Sequence, residues 1–158
     1  MGAARLLFLI GLPGSGKSTL AAQLLQEDDR RRLISTDQIR AQLFGDEAIQ
    51  GSWLLIWWEI RQQLTIAIAQ IQAGIITEVI YDATNARRRD RRRALLLIRY
   101  CGFTQVTGIW VDTPLATCLE RNQRRDRQVP EAVIMRMHAR LVAAPPALEE
   151  GFDALIIR

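Results

Sequence analysis

One residue of this chain stands out by its type and by its place. Lys17 is the only lysine; the rest of the 21 basic residues are arginines. It lies in Gly11-Leu12-Pro13-Gly14-Ser15-Gly16-Lys17-Ser18-Thr19, which fits the spacing Gly-x4-Gly-Lys-[Ser/Thr]. That spacing serves phosphate binding. The glycines let the backbone curl until several N–H groups aim at one anion, and the N-terminus of a following helix adds its positive end. Lys17 is then placed to reach the β- and γ-phosphates of a nucleoside triphosphate, and the Ser18 hydroxyl to hold Mg²⁺. A compact ammonium on a flexible stem suits this task in a chain that otherwise uses arginine throughout. Gly11, Pro13, Gly14, Ser15, Gly16, Lys17, Ser18 and Thr19 are therefore expected to contact the nucleotide.

Two carboxylates follow where a phosphate site could use them. In Ser35-Thr36-Asp37-Gln38-Ile39-Arg40, Asp37 and Arg40 are three apart and share one face of a helix's first turn. Ser35 and Thr36 are the better candidates for capping that helix. Asp37 is read instead as a general base at the carboxyl end of a strand, where α/β folds bind ligands. Asp82 closes the apolar run Ile75 to Tyr81 and opens Asp82-Ala83-Thr84-Asn85. A strand ending in Asp has the form of a second phosphate-site motif, whose carboxylate holds Mg²⁺ or its water.

Charge is unevenly placed around these residues. Arg87 to Arg99 holds seven arginines and one aspartate, a sum of +6, and Arg121 to Gln128 holds four arginines and one aspartate, a sum of +3. The whole chain carries only +4, so what remains is acidic. The partition indicates two basic patches facing anions. Arginines in the first turns of a helix, expected here from about Ala86, oppose the helix dipole unless an anion lies nearby. A solvated helix face and a nucleic-acid backbone are both open readings of that segment.

The elements that must position these groups can be read from the apolar pattern. Leu6 to Ile10 is a run of five large apolar residues, the mark of a strand buried on both faces, and a helix is expected from Lys17 to about Gln26. Further strands are expected at 32–35, 75–81, 106–111 and 152–157. Helices are expected from 37 to about 44, 53 to 73, 86 onward, 115–122 and 130–142. Gly45 to Ser52 and the arginine-bearing stretch 121–130 read as loops. Strands alternating with helices imply a three-layer α/β domain with a five-stranded parallel sheet, and the chain reads as one domain over 1–158. Trp53, Trp57 and Trp58 open the longest helix. Core packing is the reading taken for them, with a stacking platform for a nucleobase as its alternative.

Composition excludes several function classes. The longest apolar stretch, Trp53 to Ile76, contains Glu59 and Arg61, which argues against a membrane span. The apolar run near the N-terminus is too short for a signal peptide. Cys101 and Cys118 lack metal-ligand spacing and are expected to be reduced, as in a cytoplasm. His138 is the only histidine, so neither a serine–histidine triad nor a histidine-based metal site is available.

Taken in order, the phosphate loop, Ser35-Thr36-Asp37-x-x-Arg40, Asp82-Ala83-Thr84-Asn85 and Arg121-Asn122 … Arg127-Gln128-Val129-Pro130-Glu131 resemble the polynucleotide 5′-hydroxyl kinase group of P-loop phosphotransferases. The resemblance implies a P-loop kinase fold with sheet order 2-3-1-4-5, ATP as donor with Mg²⁺, and a nucleic-acid 5′-hydroxyl as acceptor. It implies that Asp37 deprotonates that hydroxyl and that Arg40 contacts an acceptor phosphate. Asp82, Asn85, Arg88 and Arg92 are taken as further acceptor-side residues. Residues 121–130 would be a lid whose arginine meets the transferring phosphoryl group. Arg124 is taken for that catalytic part, and Arg121, Arg125 and Arg127 for nucleotide contacts. A kinase of a small hydroxyl compound and a nucleotide-dependent switch with weak ATPase activity are the alternatives.

Overall fold

A computed structural model of the chain describes residues 2–158. Five strands alternate with helices: β1 (Arg5–Ile10), α1 (Lys17–Glu27), β2 (Arg31–Ser35), α2 (Thr36–Phe44), α3 (Trp53–Gln72), β3 (Glu78–Asp82), α4 (Arg88–Cys101), β4 (Gln105–Trp110), α5 (Leu115–Gln123), α6 (Glu131–Ala143) and β5 (Ala154–Ile157). The strands form one sheet in the order β2-β3-β1-β4-β5, every pair parallel. The expected class and strand order therefore both hold.

Strand β1 shows why its sequence is apolar without alternation. Leu6, Phe8 and Ile10 point into a core shared with Ile56, Ile60 and Leu64 of α3 and Ala94, Leu95 and Ile98 of α4. Leu9 points to the other face, where it meets Leu20, Ala21 and Leu24 of α1. Helices on both faces hide both rows of side chains, as a parallel sheet requires.

Three boundaries differ from the sequence expectation by two residues or more. The third strand begins at Glu78 and not at Ile75, because Ile75 and Ile76 send their N–H groups back to the Gln70 carbonyl at the end of α3. Helix α4 begins at Arg88, two residues later than expected. The last strand begins at Ala154, since the Asp153 carboxylate is engaged by the Val106 N–H and by Arg99. Among the described residues no helix is long and apolar enough to cross a membrane.

The tryptophan expectation is corrected. Trp53 and Trp58 are half exposed, and only Trp57 packs against the core. The buried stripe of α3 runs instead through Ile56, Ile60, Leu64 and Ala67. Trp58 falls on the opposite face by helical phase, whereas Trp53 shares the phase of the stripe but stands at the first turn of the helix, beyond its buried part, on the cavity wall.

Candidate active site

Register places the site. Ser35 of β2 and Leu9 of β1 flank Asp82 of β3, so three strands end level at one edge of the sheet. The segments leaving that edge are the phosphate loop, the start of α2 and the turn into α4.

The loop is held from several sides. The Gly11 N–H donates to the Thr84 carbonyl at 3.2 Å, and the Thr113 hydroxyl donates to the Ser15 carbonyl at 2.7 Å. Gly14 has φ +81°, and a Cβ there would stand 2.6 Å from the Cys118 carbonyl oxygen, so the loop lies directly on α5. Gly16, at φ +95°, precedes α1 without any side-chain cap. The first N–H groups of α1 thus lack a capping side chain. Ser15 Oγ is buried without a hydrogen-bond partner. This is a cradle shaped for phosphate oxygens.

Lys17 Nζ is paired with the Asp82 carboxylate, each side chain about nine-tenths buried. Lys17 lines the cavity above the loop, with Asp82 behind it. The hydroxyl of Ser18 and the carboxylate of Asp82 are hard oxygen donors, the chemistry Mg²⁺ selects. The residues present therefore fit a magnesium–triphosphate group.

Asp37 is free for chemistry because Ser35 does the capping: its hydroxyl accepts from the Gln38 N–H at 3.3 Å. The Asp37 carboxylate is more than half exposed and meets Arg40 at 3.0 Å. Arg40 is itself largely covered, with its guanidinium 5.4 Å from the Trp53 ring centre. Asn85 serves the turn. At φ +54° its side-chain amide donates to the Leu9 carbonyl at 2.8 Å, bracing the turn into α4 against β1.

One further residue stabilises that turn, and the sequence alone does not single it out. Arg91 is fully buried and makes a two-point pair with Glu150, both contacts at 2.7 Å. It also donates to the carbonyls of Asn85, Ala86 and Ala144. Within a run of arginines nothing marks this one as interior, and its partner lies 59 positions away.

The 121–130 segment, expected as a loop throughout, begins with three residues that complete α5, and it divides its arginines. Arg121 donates to the Gly14 carbonyl at 3.3 Å and so lies over the phosphate loop. Arg125 and Arg127 also line the cavity, and Arg127 meets Glu47 at 2.5 Å, linking the segment after α5 to the α2–α3 loop. Arg124 is different. It pairs with Glu120 one turn back, at 2.7 Å, and is mostly exposed on the outer side of α5, away from the cavity lining. The segment is closed on itself by Asn122, buried, whose amide exchanges two hydrogen bonds with the backbone of Val129.

These parts surround one cavity of about 1250 Å³. Its walls include the loop, Asp37 and Arg40, the indoles of Trp53 and Trp57, and Arg87, Arg89 and Arg93. Arg88 and Arg92, expected from the sequence on the acceptor side, do not line it: the burial of Arg91 sets the phase of α4 and turns those two away. Burial raises the Tyr81 phenol and the Cys118 thiol above their ordinary pKa values, so both stay neutral near the site.

A parallel sheet in the order 2-3-1-4-5, with helices on both sides and a phosphate loop after its central strand, is the architecture of P-loop kinase-type phosphotransferases. The chain belongs to the AAA domain family (AAA_33), which it matches over residues 6–144. It is similar to the L-seryl-tRNA(Sec) kinase of Methanococcus maripaludis, with 29% identity over 138 residues that cover 84% of this chain and 51% of that protein. The chain thus spans about half the length of this curated relative. Its fold is similar to that in the Pnkp1/Rnl/Hen1 RNA repair complex, with TM-score 0.72 and 22% identity over 97% of this chain and 47% of that one. It is also similar to a sugar kinase from Janibacter sp. HTCC2649, with TM-score 0.62 and 19% identity over 99% and 86% of the two chains.

Proposed function

We propose that this domain transfers the γ-phosphoryl group of ATP to a hydroxyl acceptor, and that the acceptor is the 5′-hydroxyl end of a nucleic-acid strand. The observation that carries the reading is the shared cavity. The phosphate loop, the Asp37–Arg40 pair, Arg87 and two α4 arginines open into one space larger than the roughly 300–1,000 Å³ that one small ligand takes. Donor and acceptor can therefore lie there together.

The chemistry follows from the residues. Asp37 accepts the proton of the acceptor hydroxyl as its oxygen forms a bond to the γ-phosphorus. The bond from that phosphorus to the β,γ-bridging oxygen breaks, and ADP leaves. Lys17 and the lid arginine nearest the loop, Arg121, offset the negative charge on the transferring group. Mg²⁺, held by Ser18 and Asp82 when bound, supplies further charge neutralisation on the phosphates. Lys17 exchanges its Asp82 contact for phosphate as the nucleotide enters. Arg40, held by Asp37 and Trp53, presents a cation beside the acceptor and suits an acceptor phosphate. Arg121, Arg125 and Arg127 are proposed for the nucleotide side, and Arg124 drops from the catalytic role.

The indole faces of Trp53 and Trp57 favour a flat acceptor group. A nucleobase fits them, and so does a sugar ring, which is the second reading. Transfer of labelled γ-phosphate from ATP with Mg²⁺ separates the two. The panel is 5′-hydroxyl DNA and RNA oligonucleotides, nucleoside 3′-phosphates, and simple sugars. Label on oligonucleotide 5′ ends is expected. Label on sugars alone would move the acceptor to the small-molecule class, and no acceptor-dependent transfer would overturn the kinase reading.

A further inference from the structure

Helix α4 carries a surface that the reaction itself does not use. Its buried side is fixed by Arg91, Ala94, Leu95 and Ile98. At 100° per residue the opposite stripe is Arg89, Arg93, Leu96 and Tyr100, with Arg88 and Arg92 along its flank. All six are exposed, Leu96 and Tyr100 by about three-quarters. None of the four arginines makes a salt bridge among the described residues. The only acid on the helix, Asp90, faces the cavity. Arg89 and Arg93 belong both to the cavity wall and to a shallow groove formed with Arg88, Arg92 and Leu96. The stripe therefore begins at the proposed active site and runs about 16 Å along the helix to Tyr100.

We propose that this stripe is a track for the acceptor strand beyond its terminal nucleotide: a single nucleic-acid strand leaves the cavity over Arg89 and Arg93 and follows the α4 face, its phosphates on Arg88 and Arg92 and a base on Tyr100. The inference rests on the nucleic-acid reading given above. Three features favour a strand over an acidic protein or a lipid surface. The stripe is one helix wide, it is continuous with a phosphate-binding cavity, and it interleaves guanidinium groups with an exposed aromatic ring, the combination that holds unpaired bases and backbone together. The Arg61 guanidinium lies 5.6 Å from the Tyr100 ring centre, so the far end of the track is cationic too.

The test compares acceptor lengths in the triple variant Arg88→Ser, Arg92→Ser, Tyr100→Ala. All three side chains lie on the surface outside the cavity. KM for a twelve-nucleotide 5′-hydroxyl acceptor should rise roughly tenfold or more. KM and kcat for a nucleoside 3′-phosphate, which reaches only the cavity, should stay at parental values. In parallel, the anisotropy of a labelled twelve-mer gives its affinity across salt concentrations. The dependence of log affinity on log salt should flatten by about one to two, at about 0.7 for each phosphate no longer neutralised. Equal KM for the twelve-mer in parent and variant, with an unchanged salt slope, would overturn the track and leave the stripe as a solvated or protein-binding face. If no oligonucleotide is phosphorylated by the parent, the acceptor reading fails. The anisotropy arm then still decides the track: salt-sensitive binding that disappears in the variant supports it, and absence of binding overturns it.

Discussion

The cavity has a floor and a roof, and the chain builds them by opposite means. The floor is the carboxyl edge of three central strands, where ladder register sets Ser35, Asp82 and Leu9 side by side. Its charged groups are buried in pairs: Lys17 with Asp82, and Arg91 with Glu150. The roof consists of the 124–130 segment and the α2–α3 loop. Its charged groups are exposed, and it is joined across by the half-exposed pair Arg127–Glu47. A buried pair resists change because either partner alone would be stranded in a poor solvent. An exposed pair gives up little on opening. A fixed floor with a releasable roof is what the proposed transfer between two substrates requires.

Substitutions can break or sharpen that contrast. Lys17→Ala should abolish phosphoryl transfer to every acceptor. It also strands Asp82, so the unfolding free energy should fall by about 1–3 kcal/mol. Adding Asp82→Asn should restore stability without restoring transfer. Retention of near-normal turnover by Lys17→Ala would remove the phosphate-loop assignment.

The second floor pair should respond in stability first. Arg91→Met alone should cost about 3–5 kcal/mol, since it leaves the Glu150 carboxylate buried and unpaired. Arg91→Met with Glu150→Leu should recover part of that loss in urea unfolding, since the carbonyls of Asn85, Ala86 and Ala144 still lose their donor. If the single variant unfolds at the parental midpoint, the pair does not hold the turn into α4.

Roof changes should leave the fold nearly untouched and act on turnover. Asn122→Ala, at the end of α5, removes two hydrogen bonds from the Val129 backbone and frees the 124–130 segment. About a tenfold loss of kcat is expected, a barrier higher by about 1.4 kcal/mol. Glu47→Gln is the smallest case. Breaking an exposed pair should change kcat less than about threefold and leave the melting temperature within about a degree or two. A larger drop in melting temperature would show the roof to be as tightly held as the floor.

Much of the floor is legible in the amino-acid sequence alone. Its residues come from short motifs at the ends of apolar strands, and local sequence specifies both the strand and the turn that follows it. The roof is legible only as a loop with arginines. Which arginine faces the cavity depends on where α5 ends and on a competing i,i+4 partner, and Glu120 takes Arg124 away from the site. Helix α4 shows the same limit. Its arginines are equivalent by type and spacing, and it is Glu150, from the far end of the chain, that draws Arg91 inside and so sets which neighbours face the cavity. Two of the tryptophans depart from the core expectation for different reasons: Trp58 is out of phase with the buried stripe, and Trp53, though in phase, lies at the helix end past the core. Trp53 lies beside Arg40 and the cavity, where an indole covers a guanidinium and leaves a face open.

The central claim is that Asp37 acts on the acceptor and not on the nucleotide. Asp37→Asn keeps the shape of the side chain and removes its capacity to take a proton. Steady-state turnover with a 5′-hydroxyl oligonucleotide, measured beside the dissociation constant for ATP on the same preparation, separates the two roles. The account predicts that kcat falls by roughly 10²–10⁴ while ATP affinity stays within about twofold. Turnover near the parental value, or ATP affinity falling as steeply as turnover, would contradict it.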